Sequence, residues 1–177
     1  MSSYHAMTRS ENALSMLTRD HDEVISACRQ FAALNSAALS SKKKLADEIC
    51  FLWTVHATVE QEIFYPAVRR HVPDGDALVD DMLPSHERVM ELISQILEMS
   101  AEDPFFDSKM ESLSSQIVRQ ARDHETGIFV EACLAKIDLV ALGKEIAVRK
   151  SEFHDSVSNF WPIWYLQGDR SLQQAAA

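Results

Sequence analysis

The chain has 177 residues and a formal charge of −10, from 27 acidic and 17 basic side chains. That length suits one domain, and the acidic excess excludes the basic surface that non-specific nucleic-acid or anionic-membrane binding needs. Hydrophobic residues make up 46% of the chain, enough for a sizeable core, while 4 glycines and 5 prolines are too few for the turns of an all-β sandwich or barrel. Met1 to Ser10 is polar and lacks the apolar centre of a signal peptide. The longest aromatic-apolar run, Phe160 to Leu166, is too short to span a bilayer, so no membrane association is expected. Cys28, Cys50 and Cys133 are odd in number and widely spaced. They read as buried thiols in a reducing compartment, which places the protein in the cytoplasm.

The periodicity is helical almost throughout. Leu14, Leu17, His21, Val24, Cys28 and Phe31 step by three and four, so they share one face of a first helix. Ser10 is its candidate cap, and Asn35-Ser36 closes it. A second helix carries Leu45, Ile49, Leu52, His56, Val59/Glu60, Ile63 and Ala67, and breaks at the turn His71-Val72-Pro73-Asp74-Gly75. A third carries Val79, Met82, His86, Val89, Ile93 and Leu97, with Pro84 marking either a kink or the helix start. The fourth follows Asp103-Pro104 and carries Met110, Leu113, Ile117, Ala121, His124, Ile128 and Ala135, with Gly127 as a weak point. Four such helices joined by short polar loops predict an all-α fold, an antiparallel up-down four-helix bundle over residues 1–140. Residues 141–177 form a C-terminal extension: a short fifth helix over 141–150, then an aromatic tail at Phe160 to Leu166 that covers a flank of the bundle or docks a partner. The second and fourth helices share the string Ile-Phe-x-x-Ala, at Ile63 to Ala67 and Ile128 to Ala132.

Each of the four apolar stripes contains one histidine, at His21, His56, His86 and His124, and Glu60 lies one turn after His56 on the same face. A buried carboxylate needs a cation or strong donors, because burying it unpaired costs several kcal/mol. A divalent metal among imidazoles meets that need. The mixed nitrogen and oxygen donors suit iron, zinc or manganese, and no sulfur donor is placed to favour a softer ion. A bridging glutamate can also hold a second ion about 3.5–4 Å from the first.

These residues carry a family resemblance. His21-Asp22-Glu23, the string from His56 through Glu60 to Pro66, Ser85-His86-Glu87 and Asp123-His124-Glu125 resemble the hemerythrin-like (HHE cation-binding) domain over roughly residues 10–137. The resemblance implies a non-haem di-iron centre: two iron ions, oxo- or hydroxo-bridged, held by histidines and bridging glutamates. The fourth helix departs from the family pattern. Anchored on His124, the family's glutamate falls at Ile128. Anchored on the Ile-Phe-x-x-Ala string, Glu125 matches Glu60 and the family's histidine falls at Ala121, with His124 near enough to substitute. The second register is preferred, giving His21, His56, Glu60, His86, His124 and Glu125 as the metal ligands.

The resemblance further implies a protein that binds or senses O₂, NO or peroxide, or handles iron. A binding or sensing protein is expected before a dedicated enzyme, since no substrate pocket is evident in the sequence. The alternative is a mononuclear iron or zinc sensor whose second site has degenerated, in line with the irregular fourth helix.

Overall fold

The computed structural model describes residues 12–157. The first helix, α1 (Ala13–Ala33), is capped by Asn12, whose side chain accepts from the Ser15 N–H while Ser15 reciprocates on the Asn12 backbone. The cap is therefore Asn12; Ser10 lies outside the described residues. Asn35 Oδ1 accepts the Ala37 N–H and turns the chain into α2, which spans 39–71 in three continuous parts. These are an α-helix Leu39–Val59, a π-helical turn Glu60–Phe64 and an α-helix Tyr65–His71.

The next turn places Asp74 in the left-handed region at φ 56°. Gly75 follows so close to the Val68 carbonyl that a Cβ there would stand 2.4 Å from its oxygen. α3 (Gly75–Glu98) contains Pro84 in its interior, so that proline neither starts nor ends the helix. Burial of Val79, His86, Val89 and Ile93 along one face holds the helix across the missing proline N–H. After a loop in which Asp103 Oδ1 accepts the Phe105 N–H, α4 spans 106–134. It comprises an α-helix Phe106–Asp123, a π-helical turn His124–Ile128 and an α-helix Phe129–Leu134. α5 (Leu139–Val157) is longer than the 141–150 expected from the sequence.

Two apolar clusters alternate in order along these helices, and that order gives their directions. On α1, Met16 and Leu17 belong to one cluster and Val24, Cys28 and Phe31 to the other. On α2 the order reverses, with Ile49 and Trp53 preceding Phe64 and Val68. α3 repeats the order of α1, from Val79 to Ile93, and α4 repeats that of α2, from Leu113 to Phe129. The four helices therefore alternate up and down, as the sequence predicts.

α5 packs outside this ring against α1 and α2. Ile146 is buried in the cluster that holds Leu17, and Arg149 Nε donates to Glu62 Oε2 at 2.5 Å. Cys28 and Cys50 are buried free thiols, whereas Cys133 is exposed. The expectation of three buried thiols fails at Cys133 because it lies beyond the buried Ala132 on the outer face of α4. His71 faces solvent. No helix among the described residues is long and apolar enough to cross a membrane. The aromatic run Phe160 to Leu166 lies outside the described residues.

Candidate metal centre

Between the two apolar clusters lies a polar layer. His21, His56, Glu60, His86, Gln120 and His124 are all at most 2% exposed, and each sits on its helix between residues of one cluster and residues of the other. Four of them converge: one ligand atom each from His21, His56, Glu60 and His124 lies within 4.8 Å of all the others. His21 Nε2 stands 3.1 Å from His56 Nε2. Glu60 Oε1 is 3.3 Å from His56 Nε2 and 2.9 Å from His124 Nδ1.

The outer nitrogens of the His21 and His56 rings are held by carboxylates. His21 Nδ1 lies 2.7 Å from Glu125 Oε1, and His56 Nδ1 lies 3.4 Å from Asp20 Oδ2. An imidazole that donates its Nδ1 proton to a carboxylate presents a lone pair at Nε2. Two such lone pairs at 3.1 Å, beside a buried carboxylate oxygen, repel one another unless a proton or a metal cation lies among them. Three nitrogens and one oxygen at these separations could hold a metal ion.

Electrostatics without a cation point the same way. Burial alone would push the Glu60 carboxyl up, but the His124 and His56 imidazoles hold it well below its ordinary value. Burial opposes a charge on His56, yet Glu60 and then Asp20 outweigh it and push the ring up to about 9. His21 moves the other way, down to about 3, through burial and the neighbouring His56. In the metal-free cluster the His56 ring thus favours its protonated form beside Glu60.

His86 and Glu125 are not among the four convergent donors. Glu125 has a side chain 39% exposed and lies on the outer side of His21. His86, on α3, packs its ring edge-on to Tyr65, with centroids 6.2 Å apart. Its Nδ1 is 3.5 Å from the Gln120 amide nitrogen, and neither His86 Nε2 nor Gln120 Oε1 has a hydrogen-bond partner among the described residues. With its carboxamide turned over, Gln120 would accept the Nδ1 proton and leave the His86 Nε2 lone pair available.

Between His86 and the cluster stands Tyr65, whose hydroxyl donates to Glu60 Oε2 at 3.4 Å and lies 3.3 Å from His124 Nε2. Burial, reinforced by Glu60, raises the Tyr65 hydroxyl above its ordinary value. Periodicity in the sequence points to neither Asp20 nor Gln120. Tyr65 carries a faint signal, as the only tyrosine beside the second helix's ligands.

The Hemerythrin HHE cation-binding domain model matches residues 12–132, more than half of the chain. The structure is also similar to the crystal structure of a hemerythrin HHE cation-binding domain-containing protein from Mycobacterium kansasii. That likeness has a TM-score of 0.72 and 19% identity over 89% of this chain and 93% of that one, and it shows a shared fold. No curated protein matches the chain. The buried histidine and glutamate layer thus sits inside a matched cation-binding domain, and the chain belongs to the hemerythrin HHE cation-binding family.

Proposed function

We propose that the protein holds non-haem iron on His21, His56, Glu60 and His124 and uses it to bind or sense O₂, NO or peroxide. The observation that carries this reading is the facing pair His21 Nε2 and His56 Nε2 beside fully buried Glu60, a cluster that calls for a cation. Bound there, iron would supply an open-shell centre that takes up a small diatomic ligand or peroxide. The protein's part is to hold the donors, keep bulk water out with Leu17, Trp53 and Phe129, and turn the ring nitrogens inward through Asp20 and Glu125.

A two-ion centre is supported by the two faces of Glu60. Oε1 meets the imidazoles, while Oε2 meets Tyr65, behind which His86 Nε2 has no partner among the described residues. A single-ion centre is the second reading, favoured by the convergence of only four donors. The unpaired buried thiols Cys28 and Cys50 agree with a reducing, cytoplasmic location.

The test is anaerobic loading with Fe(II), followed by exposure to O₂ and, separately, to NO, under optical absorption. New near-ultraviolet and visible charge-transfer bands on exposure are expected. A loaded protein whose spectrum responds to neither gas contradicts a ligand-binding role. Catalytic loss of added peroxide or NO, rather than stoichiometric binding, would make the protein an enzyme.

A further inference from the structure

The C-terminal helix reaches the metal centre through a chain of charges. Lys150 on α5 forms an ion pair with Asp20 Oδ1, and Asp20 Oδ2 lies 3.4 Å from His56 Nδ1. Asp20 is 11% exposed and Lys150 18%, so water competes little for either member of the pair. Burial alone would push Asp20 up, but His56 and Lys150 together hold its carboxyl below the ordinary value.

A cavity of about 150 Å³ lies beside the three residues, walled also by Phe51, Leu52 and Val55. The His56 ring packs against Trp53 and His21 but borders this cavity, so the polar contact at Nδ1 adds to ring packing in setting its orientation. Residue 150 lies outside the 12–132 stretch that the family model matches.

We propose that Lys150 is a positioning residue for the metal centre: by anchoring Asp20, it fixes the His56 ring with Nδ1 outward and Nε2 turned toward His21 and Glu60. This rests on the metal-binding reading above. A carboxylate that accepts the outer N–H of a ligating histidine and so orients it raises metal affinity by about 10- to 100-fold, and a lysine that fixes the carboxylate takes a share of that effect.

The experiment uses the full chain, stripped of metal, as wild type and as Lys150→Met, Lys150→Arg, Asp20→Asn and Arg149→Met. Lys150→Met keeps most of the aliphatic stem, and Lys150→Arg keeps the charge. Arg149→Met removes a different α5 ion pair, the one to Glu62, and controls for general loosening of the helix. Co(II) affinity is read from visible absorption in competition with a chelator. The His56 ring is read in the metal-free protein from histidine ¹H–¹⁵N correlations, where a proton on Nδ1 bonded to Asp20 exchanges slowly.

Lys150→Met is expected to weaken Co(II) binding about 10-fold and to speed exchange of the His56 Nδ1 proton. Asp20→Asn should weaken binding at least as much, Lys150→Arg should restore wild-type affinity, and Arg149→Met should leave it unchanged. Wild-type affinity in Lys150→Met, or an equal loss in Arg149→Met, would overturn the positioning role while leaving the metal reading intact. A wild type that binds no Co(II) would overturn the metal reading instead, and the His56 signal would then decide alone whether Lys150 sets the ring.

Discussion

Glu60 and His124 open the two π-helical turns of the bundle and face each other across the core, with Glu60 Oε1 2.9 Å from His124 Nδ1. Counted from these two residues, the buried positions downstream match. On α2 they are Phe64, Tyr65 and Val68; on α4 they are Ile128, Phe129 and Ala132. Upstream, His56 corresponds to Gln120 and Trp53 to Ile117, all buried. Each π turn inserts an extra residue per turn, so the inward face shifts where the donors sit.

Replacing His86 separates the two nuclearities. If Glu60 bridges two ions, His86→Ala should lower bound iron from about two per chain to about one, while His56→Ala should remove nearly all of it. Elemental analysis of each loaded variant reads this directly. Unchanged iron in His86→Ala would leave His86 as a core histidine held by Gln120.

The metal-free protein should be most stable near pH 6.5. The folded His56 value of about 9 lies above the unfolded 6.5, so its contribution is fully present below 6.5 and is lost as pH rises toward 9. The folded His21 value of about 3 lies below 6.5, so its contribution is present above 6.5 and is lost as pH falls toward 3. Glu60, held well below 4.5, adds to the acid limb. Thermal melts from pH 5 to 9 in chelator test this, and His56→Gln should flatten the alkaline limb. A wild-type midpoint that stays constant from pH 6.5 to 9 would contradict the charged His56.

Gly75 and Gly127 should respond to alanine with opposite signs. Gly75→Ala forces a Cβ against the Val68 carbonyl and should cost about 1–3 kcal/mol. Gly127 has open space where a Cβ would go and no positive φ, so Gly127→Ala should stabilise by about 0.5–1 kcal/mol. Denaturant melts of both variants check the pair of signs.

The four helices were legible in the sequence because their stripes recur at three and four residues, and His21, His56, His86 and His124 are all buried on them. The second helix's predicted stripe ends on Ile63 and Ala67, whereas burial falls on Phe64 and Val68, one residue later. The π turn at Glu60–Phe64 makes that difference, and a period of 3.6 cannot show it. The same cause separates the shared Ile-Phe-x-x-Ala string from the buried register. The string pairs Glu125 with Glu60, but burial pairs His124 with Glu60 and leaves Glu125 on the outer edge of His21. Asp20 and Gln120 could not be read from periodicity, since their role depends on which ring nitrogen each one meets across helices.

The most direct measurement is the metal content of the full chain and of Glu60→Ala, each loaded with Fe(II) under anaerobic conditions and then desalted. Glu60 supplies the only fully buried carboxylate among the described residues, so the wild type should retain at least one iron per chain and Glu60→Ala less than about a tenth of that. The wild type should also melt at a higher temperature with metal than in chelator, a difference that vanishes in the variant. Equal iron in the two proteins, or none in the wild type, would contradict a metal centre built on His21, His56, Glu60 and His124.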